Sequence, residues 1–136
     1  MELFANIYQY LLIIMTILGV GVFITLQFVT PAYGMTFNNR WGVSIRSNLG
    51  WFIMEAPVFF AMLALYFISL YFNIRPFNIV TFTMFFFFEF HYFQRSFIFP
   101  LLMRGQSKMP LSIIITGFTF NTCNALMQGG WLFFFS

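Results

Sequence analysis

The chain has 136 residues, of which 61% are hydrophobic and 24% aromatic, and its six Lys or Arg and three Asp or Glu give a net charge of +3. Roughly a quarter of the residues of a soluble domain are charged, so this composition excludes an ordinary soluble globule, a disordered tail and a nucleic-acid binder. The mean hydropathy of +0.88 indicates an integral membrane protein instead.

Four apolar segments, taken in chain order, are long enough to cross a bilayer as helices. They lie near 11–29, 49–72, 78–103 and 111–135. The alternating pattern of a closed β-barrel is missing, so helices are the predicted spanning structure. We therefore expect residues 1–136 to form a single all-α domain, a polytopic bundle of transmembrane helices in the lipid bilayer.

The basic residues of the connections predict how this bundle is oriented. The loops at 30–48 and 104–110 fall on the same side and hold four of the six cations, namely Arg40, Arg46, Arg104 and Lys108. Cytoplasmic loops are enriched in Lys and Arg. Both loops are therefore predicted to be cytoplasmic and both termini to lie outside.

Ionisable residues within the predicted spans are candidates for function, because a charge in lipid is costly. Glu55 lies in the second span, and Glu89, His91 and Arg95 lie in the third. At about 100° per residue, the three in the third span and Tyr92 share one arc of about 160° on the helix. We expect this arc to face the interior of the bundle.

The fourth predicted helix also has a polar stripe, in which Gly117, Asn121, Asn124 and Gln128 follow i, i+4, i+7, i+11 spacing. Polar stripes turn towards one another or towards a bound polar ligand, and away from lipid. Structural alternatives stay open: Glu55 as an interhelical ion pair with Arg95 or Arg46, and the amides as helix-packing hydrogen bonds.

The polar residues of these spans suggest one kind of chemistry. A carboxylic acid, a phenol, an imidazole and a guanidinium suit polarisation or protonation of a carbonyl on an apolar substrate, with cations for an anionic cofactor. A Ser-His-Asp set is excluded because the chain has no Asp. Cys123 beside the single His91 excludes the usual four-ligand zinc site, so no metal is expected.

Three ordered blocks resemble the steroid 5-alpha-reductase family. Residues 91–105, HYFQRSFIFPLLMRG, are similar to its His-Tyr-x-x-Arg-x-Phe-x-(Tyr/Phe)-Pro-x-Leu-x-Arg-Gly block. Residues 51–57, WFIMEAP, resemble its Trp-x-x-Gln-Glu-x-Pro block, with Met54 where the family usually has Gln. Residues 124–129, NALMQG, resemble its Asn-Gly-x-x-Gln-Gly block.

The resemblance implies a membrane-embedded, NADPH-dependent oxidoreductase that reduces the Δ4 double bond of a 3-oxo steroid or steroid-like enone to the 5-alpha-3-oxo product. It implies Glu55 and Tyr92 as catalytic residues on the substrate carbonyl, with Tyr92 as the acid. The implied cofactor-binding residues are Arg95, Arg104, His91 and Asn124.

The family also implies a larger architecture, in which this chain resembles the amino-terminal half of a seven-helix reductase. The resemblance implies that the carboxy-terminal part of that fold is absent from this sequence, so we expect either a truncated and inactive fragment or a chain that pairs with a separate carboxy-terminal half. Two alternative functions remain: a reductase of long-chain enoyl or polyprenol lipids, and a non-enzymatic helical scaffold or subunit.

Overall fold

Helices dominate the computed structural model, which describes residues 2–31, 34–37, 39–104 and 107–136. Within these residues the α-helices are α1 (Glu2–Thr25), α2 (Ser47–Tyr71), α3 (Ile79–Phe93), α4 (Phe99–Leu102) and α5 (Leu111–Gly130). Turns of π-helix follow α3 at Gln94–Ile98 and α5 at Trp131–Phe135, and 3₁₀ turns lie at Gly34–Thr36 and Asn39–Trp41.

The predicted all-α class and its four long helices are confirmed. Helix α3, the π turn after it and α4 continue without a break, so that together they make one long helix over 79–102. Two helices of the described chain, Leu3–Thr25 and Ser47–Tyr71, are long and apolar enough to cross a membrane, by length and composition. The seven-helix architecture stays a prediction.

The first helix begins and ends earlier than the predicted bounds of 11–29. It runs from Glu2 to Thr25, because the backbone hydrogen bonds of a helix also form through polar residues that a search for apolar runs leaves out. It ends where Gln27 N–H donates to the carbonyl of Ile24 at 3.1 Å, a tighter i→i−3 bond that closes the last turn.

A short antiparallel ladder fixes how the helices are arranged. Strand β1 (Ser44–Arg46) pairs with β2 (Lys108–Pro110), and Ile45 lies opposite Met109. Helix α2 begins directly after β1 and α5 directly after β2. The ladder therefore brings the first turns of α2 and α5 together, and the two helices run parallel, with Gly50 against Ile114 near their starts.

The hydrophobic core lies towards the other end of α2. Met62, Phe85 and Phe133 are buried together, and the ring of Tyr66 stacks on that of Phe85 with centroids 4.2 Å apart. The hydroxyl of Ser69 donates to the carbonyl of Phe133 at 3.1 Å. This core holds α2, the antiparallel α3 and the end of α5 together, and the polar residues lie between it and the ladder.

Candidate active site

A half-buried ion pair joins α2 to the π turn that follows α3. The Nη2 atom of Arg95 donates to Oε1 of Glu55 at 2.6 Å. The Glu55 side chain is only 3% exposed, whereas that of Arg95 is 42% exposed. The structure thus holds the carboxylate inside the bundle and leaves part of the guanidinium open to the surroundings.

Aromatic rings support the guanidinium. The guanidinium carbon of Arg95 lies 5.3 Å from the centroid of the Trp51 ring, a distance at which a cation is attracted to an indole face. Trp51 in turn packs edge-on against Phe99, with centroids 5.3 Å apart. Trp51 lies one helical turn before Glu55, so a single face of α2 supplies both partners of Arg95.

A hydrogen bond between side chains joins α3 to α5 in the same region. The Nδ2 atom of Asn124 donates to the phenol oxygen of Tyr92 at 3.1 Å, and both side chains are half-buried. The ring of Phe88, one turn earlier on α3, packs against the Tyr92 ring, with ring centroids 4.6 Å apart. The phenol is therefore fixed from one side by packing and from the other by the amide.

The polar stripe of α5 contacts α2 one turn closer to the ladder. The Nδ2 atom of Asn121 donates to the backbone carbonyl of Met54 at 3.0 Å. Pro57 lies three residues later in the same helix, and it lacks the N–H that would pair with a carbonyl of the preceding turn. Gln128, the last member of the stripe, is exposed, so only part of the predicted stripe faces inward.

The π turn has an identifiable cause. Pro100 has no N–H to donate, and its ring would collide with a carbonyl one turn earlier in a regular α-helix. The helix widens instead, and the Phe99 N–H reaches back to the carbonyl of Gln94. Such π turns often occur at functional sites, and here the turn contains Arg95.

Two predicted cofactor-binding residues lie outside this cluster. His91 is exposed, and its ring touches the edge of the neighbouring Tyr92 ring at a centroid distance of 5.2 Å. Arg104 is exposed just after α4, and Gly105 of the same sequence block lies outside the described residues. Asn124 lies within the cluster, but its amide is directed at Tyr92. The cofactor roles of these residues stay predictions.

Glu89 is a buried carboxyl to which the sequence assigned no role. It is 8% exposed, and neither of its oxygens has a hydrogen-bond partner within the described chain. Helical spacing predicted its place on the inward arc of α3, together with Tyr92 and Arg95. Ser96 in the π turn is fully buried, and its hydroxyl also has no hydrogen-bond partner among the described residues. No sequence signal singled it out.

Comparisons with known proteins bear on this cluster. The chain matches no protein-family model. Over 131 residues it is 26% identical to the steroid 5-alpha-reductase DET2 of Solanum lycopersicum, 28% to that of Arabidopsis thaliana and 30% to that of Gossypium hirsutum. The matched region covers 93% of this chain for the Solanum relative, 92% for the Arabidopsis relative and 93% for the Gossypium relative. Over most of its length the chain is therefore similar to steroid 5-alpha-reductases. It spans about half the length of the curated relatives it matches, 49%, 48% and 49% respectively.

The three sequence blocks that resemble the steroid 5-alpha-reductases converge on one place in the fold. Trp51 and Glu55 come from the first block, Tyr92 and Arg95 from the second, and Asn124 from the third. The contacts described above join these residues, up to 73 positions apart in the chain, in two groups, Arg95 with Glu55 and Trp51, and Tyr92 with Asn124. The two groups meet on one long helix, where Tyr92 precedes Arg95 by three residues. The part of the sequence with the clearest family resemblance therefore forms a single polar cluster inside an apolar bundle.

Proposed function

We propose that the chain forms the carbonyl-binding part of a membrane-embedded, NADPH-dependent reductase of enone double bonds, acting on a 3-oxo-Δ4-steroid or a steroid-like enone. The observation that carries the proposal is the hydrogen bond from Asn124 to Tyr92 beside the ion pair of Glu55 with Arg95. The name of the relatives, steroid 5-alpha-reductase, supports the same reaction class.

Tyr92 is the proton donor in this proposal. Because Asn124 donates to the phenol oxygen, the hydroxyl hydrogen of Tyr92 is left free to point at a ligand. A carbonyl is a hydrogen-bond acceptor only, so it pairs with this hydrogen. The amide of Asn124 thereby acts as a positioning group for the phenol.

The chemistry of an enone explains why a donor belongs at this position. NADPH, when bound, supplies the hydride that adds to the β-carbon. The electron pair of the double bond then shifts towards the carbonyl, whose oxygen gains negative charge, and the resulting enolate takes a proton from water at the α-carbon to give the saturated ketone. Tyr92 stabilises this oxygen by hydrogen bonding or proton transfer, and the surrounding apolar side chains strengthen the interaction by keeping water out.

One carboxyl oxygen of Glu55 accepts a hydrogen bond within the protein, and the other can contact a ligand. Its Oε1 atom accepts from Arg95, which leaves Oε2 for a ligand. A carboxylate and a carbonyl oxygen both only accept hydrogen bonds. Oε2 can therefore bond to a substrate carbonyl only when Oε2 itself carries a proton. We propose that Glu55 shares such a proton with the substrate carbonyl while it holds Arg95 in place.

Arg95 and Arg104 are the residues that fit an anionic cofactor. Arg95 keeps part of its guanidinium exposed beside the ion pair, and Arg104 is exposed on the side predicted to be cytoplasmic. A planar guanidinium matches the geometry of a phosphate group. His91 is exposed and could contact the cofactor at the edge of such a site. Asn124 already donates a hydrogen bond to the Tyr92 phenol, so we assign it to positioning Tyr92 and not to the cofactor.

Turnover by a reconstructed enzyme tests the proposal. The chain would be joined to the remaining half of the tomato relative, and NADPH oxidation would be measured with a 3-oxo-Δ4-steroid and, separately, with long-chain enoyl and polyprenol substrates. We expect turnover of the steroid. Turnover of the lipid substrates alone would favour the lipid reductase, and absence of both turnover and NADPH binding would favour a scaffold.

The variant Tyr92→Phe tests the assigned donor within that enzyme. It should lower kcat by about a hundredfold or more, because it removes one acid group, and it should leave the KM for NADPH unchanged. Tyr71→Phe is the matched control, since Tyr71 lies exposed at the end of α2. A Tyr92→Phe enzyme with wild-type kcat would disprove the role of the phenol.

A further inference from the structure

Two cations face each other on the short ladder between β1 and β2. Arg46 lies directly opposite Lys108 in the register. Hydrogen-bonded and non-hydrogen-bonded pairs alternate along an antiparallel ladder. The backbone N–H of Ser47 donates to the carbonyl of Ser107 at 2.9 Å, so the adjoining pair of Arg46 and Lys108 is of the non-hydrogen-bonded kind. The Cα atoms of such a pair are about 4.5 Å apart, and its side chains leave the same face of the ladder.

This pair of cations has no acid beside it in the described chain. Both side chains are exposed, and neither takes part in a hydrogen bond or an ion pair among the described residues. Of the three acids, Glu55 is bound to Arg95 about two turns along α2, Glu89 is buried in α3, and Glu2 is the first residue of α1. Like charges directly opposite each other destabilise a ladder, so an anion from outside the chain would stabilise this one.

The starts of two helices add to the positive charge. Helices α2 and α5 begin directly after the two strands, so the amino-terminal ends of both lie at the ladder. A helix carries partial positive charge at this end. Neither helix start has a capping hydrogen bond from a side chain, and the first turn of α2 contains no acid. The ladder is therefore a concentrated region of positive charge.

An apolar groove lies beside this region, between the first turns of α2 and the π turn with α4. Its volume is about 290 Å³, and its apolar walls are Leu49, Phe52, Phe97, Pro100 and Leu101. Asn48, which also lines it, is only two residues after Arg46 in the chain. Leu49 and Leu101 are exposed, so the groove is open along the side of the bundle. In a bilayer, this side contacts acyl chains.

The length of α2 places the ladder at the depth of the lipid headgroups. Its 25 residues span about 37 Å at 1.5 Å per residue, whereas the hydrocarbon core of a bilayer is about 30 Å thick. When α2 crosses the bilayer, its first residue therefore lies just beyond the edge of the hydrocarbon. The ladder directly before that residue is level with the phosphates, and the groove extends from there into the hydrocarbon.

We propose that Arg46 and Lys108 bind the phosphate of an anionic phospholipid, one acyl chain of which lies in the groove. A phosphate accepts hydrogen bonds from both cations, and its geometry matches a guanidinium. A zwitterionic headgroup brings its own cation to the pair and compensates it less well. The inference takes the membrane setting from the proposed function and does not depend on the reaction.

The test measures lipid binding to the purified chain in detergent by native mass spectrometry. Dioleoyl phosphatidylglycerol is compared with dioleoyl phosphatidylcholine, which has the same acyl chains and a zwitterionic headgroup. The wild-type chain should bind phosphatidylglycerol about tenfold or more tightly. In the double variant Arg46→Gln with Lys108→Gln, this preference should fall to within about twofold. Arg75→Gln, at the other end of α2, is the control for Arg46→Gln alone and should retain the full preference.

A second pair of variants tests the groove. Leu101 and Leu102 are neighbours in α4 and both are exposed, but only Leu101 lines the groove. Leu101→Ser should weaken the binding of phosphatidylglycerol about threefold or more, because it removes apolar contact with the acyl chain, and Leu102→Ser should not. Glycerol 3-phosphate, which has the phosphate and no acyl chain, should not displace the lipid at equal concentration.

Thermal unfolding shows whether the variants still fold. With phosphatidylcholine alone, the double variant should unfold at a temperature no lower than wild type, because it removes two like charges that face each other. Added phosphatidylglycerol should raise the unfolding temperature of the wild-type chain and leave that of the double variant unchanged.

The remaining outcomes contradict the inference in distinguishable ways. Equal affinity of the wild-type chain for the two lipids, or an unchanged preference in the double variant, overturns the role of the two cations. Displacement by glycerol 3-phosphate, or equal effects of Leu101→Ser and Leu102→Ser, overturns the lipid as the ligand. Displacement by NADPH, with NADPH binding lost in the double variant, identifies a cofactor site instead. Failure of the lipid site leaves the reductase proposal to its own turnover test.

Discussion

Asn124 donates a hydrogen bond to the phenol oxygen of Tyr92 at 3.1 Å, and this bond joins α5 to α3 across the face of α2. Both α3 and α5 pack mainly on α2, so this bond links the two helices that flank α2 directly to each other. It also determines which way the phenol hydrogen can point. The relationship gives Asn124 a role that differs from the cofactor contact implied by the family resemblance.

Substitution of Asn124 separates these two roles. In the reconstructed reductase, Asn124→Leu should lower kcat by about tenfold, because the phenol loses the bond that orients it, while the KM for NADPH stays unchanged. Steady-state kinetics with NADPH as the varied substrate measures both constants. Thr122→Val, on the same helix, is the control. A raised KM for NADPH with kcat preserved would return Asn124 to the cofactor site.

The ion pair of Glu55 with Arg95 predicts a non-additive pair of variants. Arg95→Gln leaves a buried carboxylate without its cation and should destabilise the protein by about 1–3 kcal/mol, less than for a fully buried pair because the Arg95 side chain is 42% exposed. The double variant with Glu55→Gln should recover most of this loss. Thermal unfolding in detergent measures all three variants, and strictly additive losses would contradict the coupling.

Close packing of α5 on α2 predicts opposite effects for two glycine substitutions. A Cβ atom on Gly117 would lie 2.1 Å from Sδ of Met54, whereas one on Gly19 would have nothing within 4 Å. Gly117→Ala should therefore destabilise the fold by about 1–3 kcal/mol. Gly19→Ala should be neutral or stabilise it by up to about 1 kcal/mol through helix propensity. Equal unfolding temperatures for the two variants would contradict this packing.

The orientation proposed for the bundle predicts the accessibility of two introduced cysteines. In a Cys123→Ala background, Ser107→Cys should react with a membrane-impermeant maleimide only after the cytoplasmic side is opened. Ile74→Cys, in the connection between α2 and α3, should react from outside. Both residues are exposed in the structure. The reverse pattern would invert the topology and place Arg104 away from cytoplasmic NADPH.

The helices could be predicted from the sequence because apolar length decides them, but the ladder could not. Strand β2 is three residues long and ends in Pro110, so it has neither the alternation nor the length of a recognisable strand. It forms only because the chain brings it beside Ile45. The π turn could not be predicted from apolar length either, because an α-helix with the same residues would be equally apolar. Its local cause, Pro100, is nevertheless present in the sequence.

Helical spacing predicted which polar residues share a helix face better than it predicted which of them touch. Helical spacing placed Glu89, Tyr92 and Arg95 on one arc, and the pairing of Glu55 with Arg95 was one of the two ion pairs left open. His91 shared that arc and is nevertheless exposed, because an arc of about 160° is wider than the face that a neighbouring helix covers. The bond from Asn124 to Tyr92 depends on the relative heights of two helices, which spacing within each helix does not determine.

The ladder between β1 and β2 also bears on how the chain is assembled during synthesis. The partner of Arg46 is Lys108, about 60 residues later, so the start of α2 leaves the ribosome long before its partner exists. Until then α2 and α3 are a helical hairpin without the neighbour that supplies Asn121 and Asn124. The polar cluster is therefore completed last, once α5 has been synthesised.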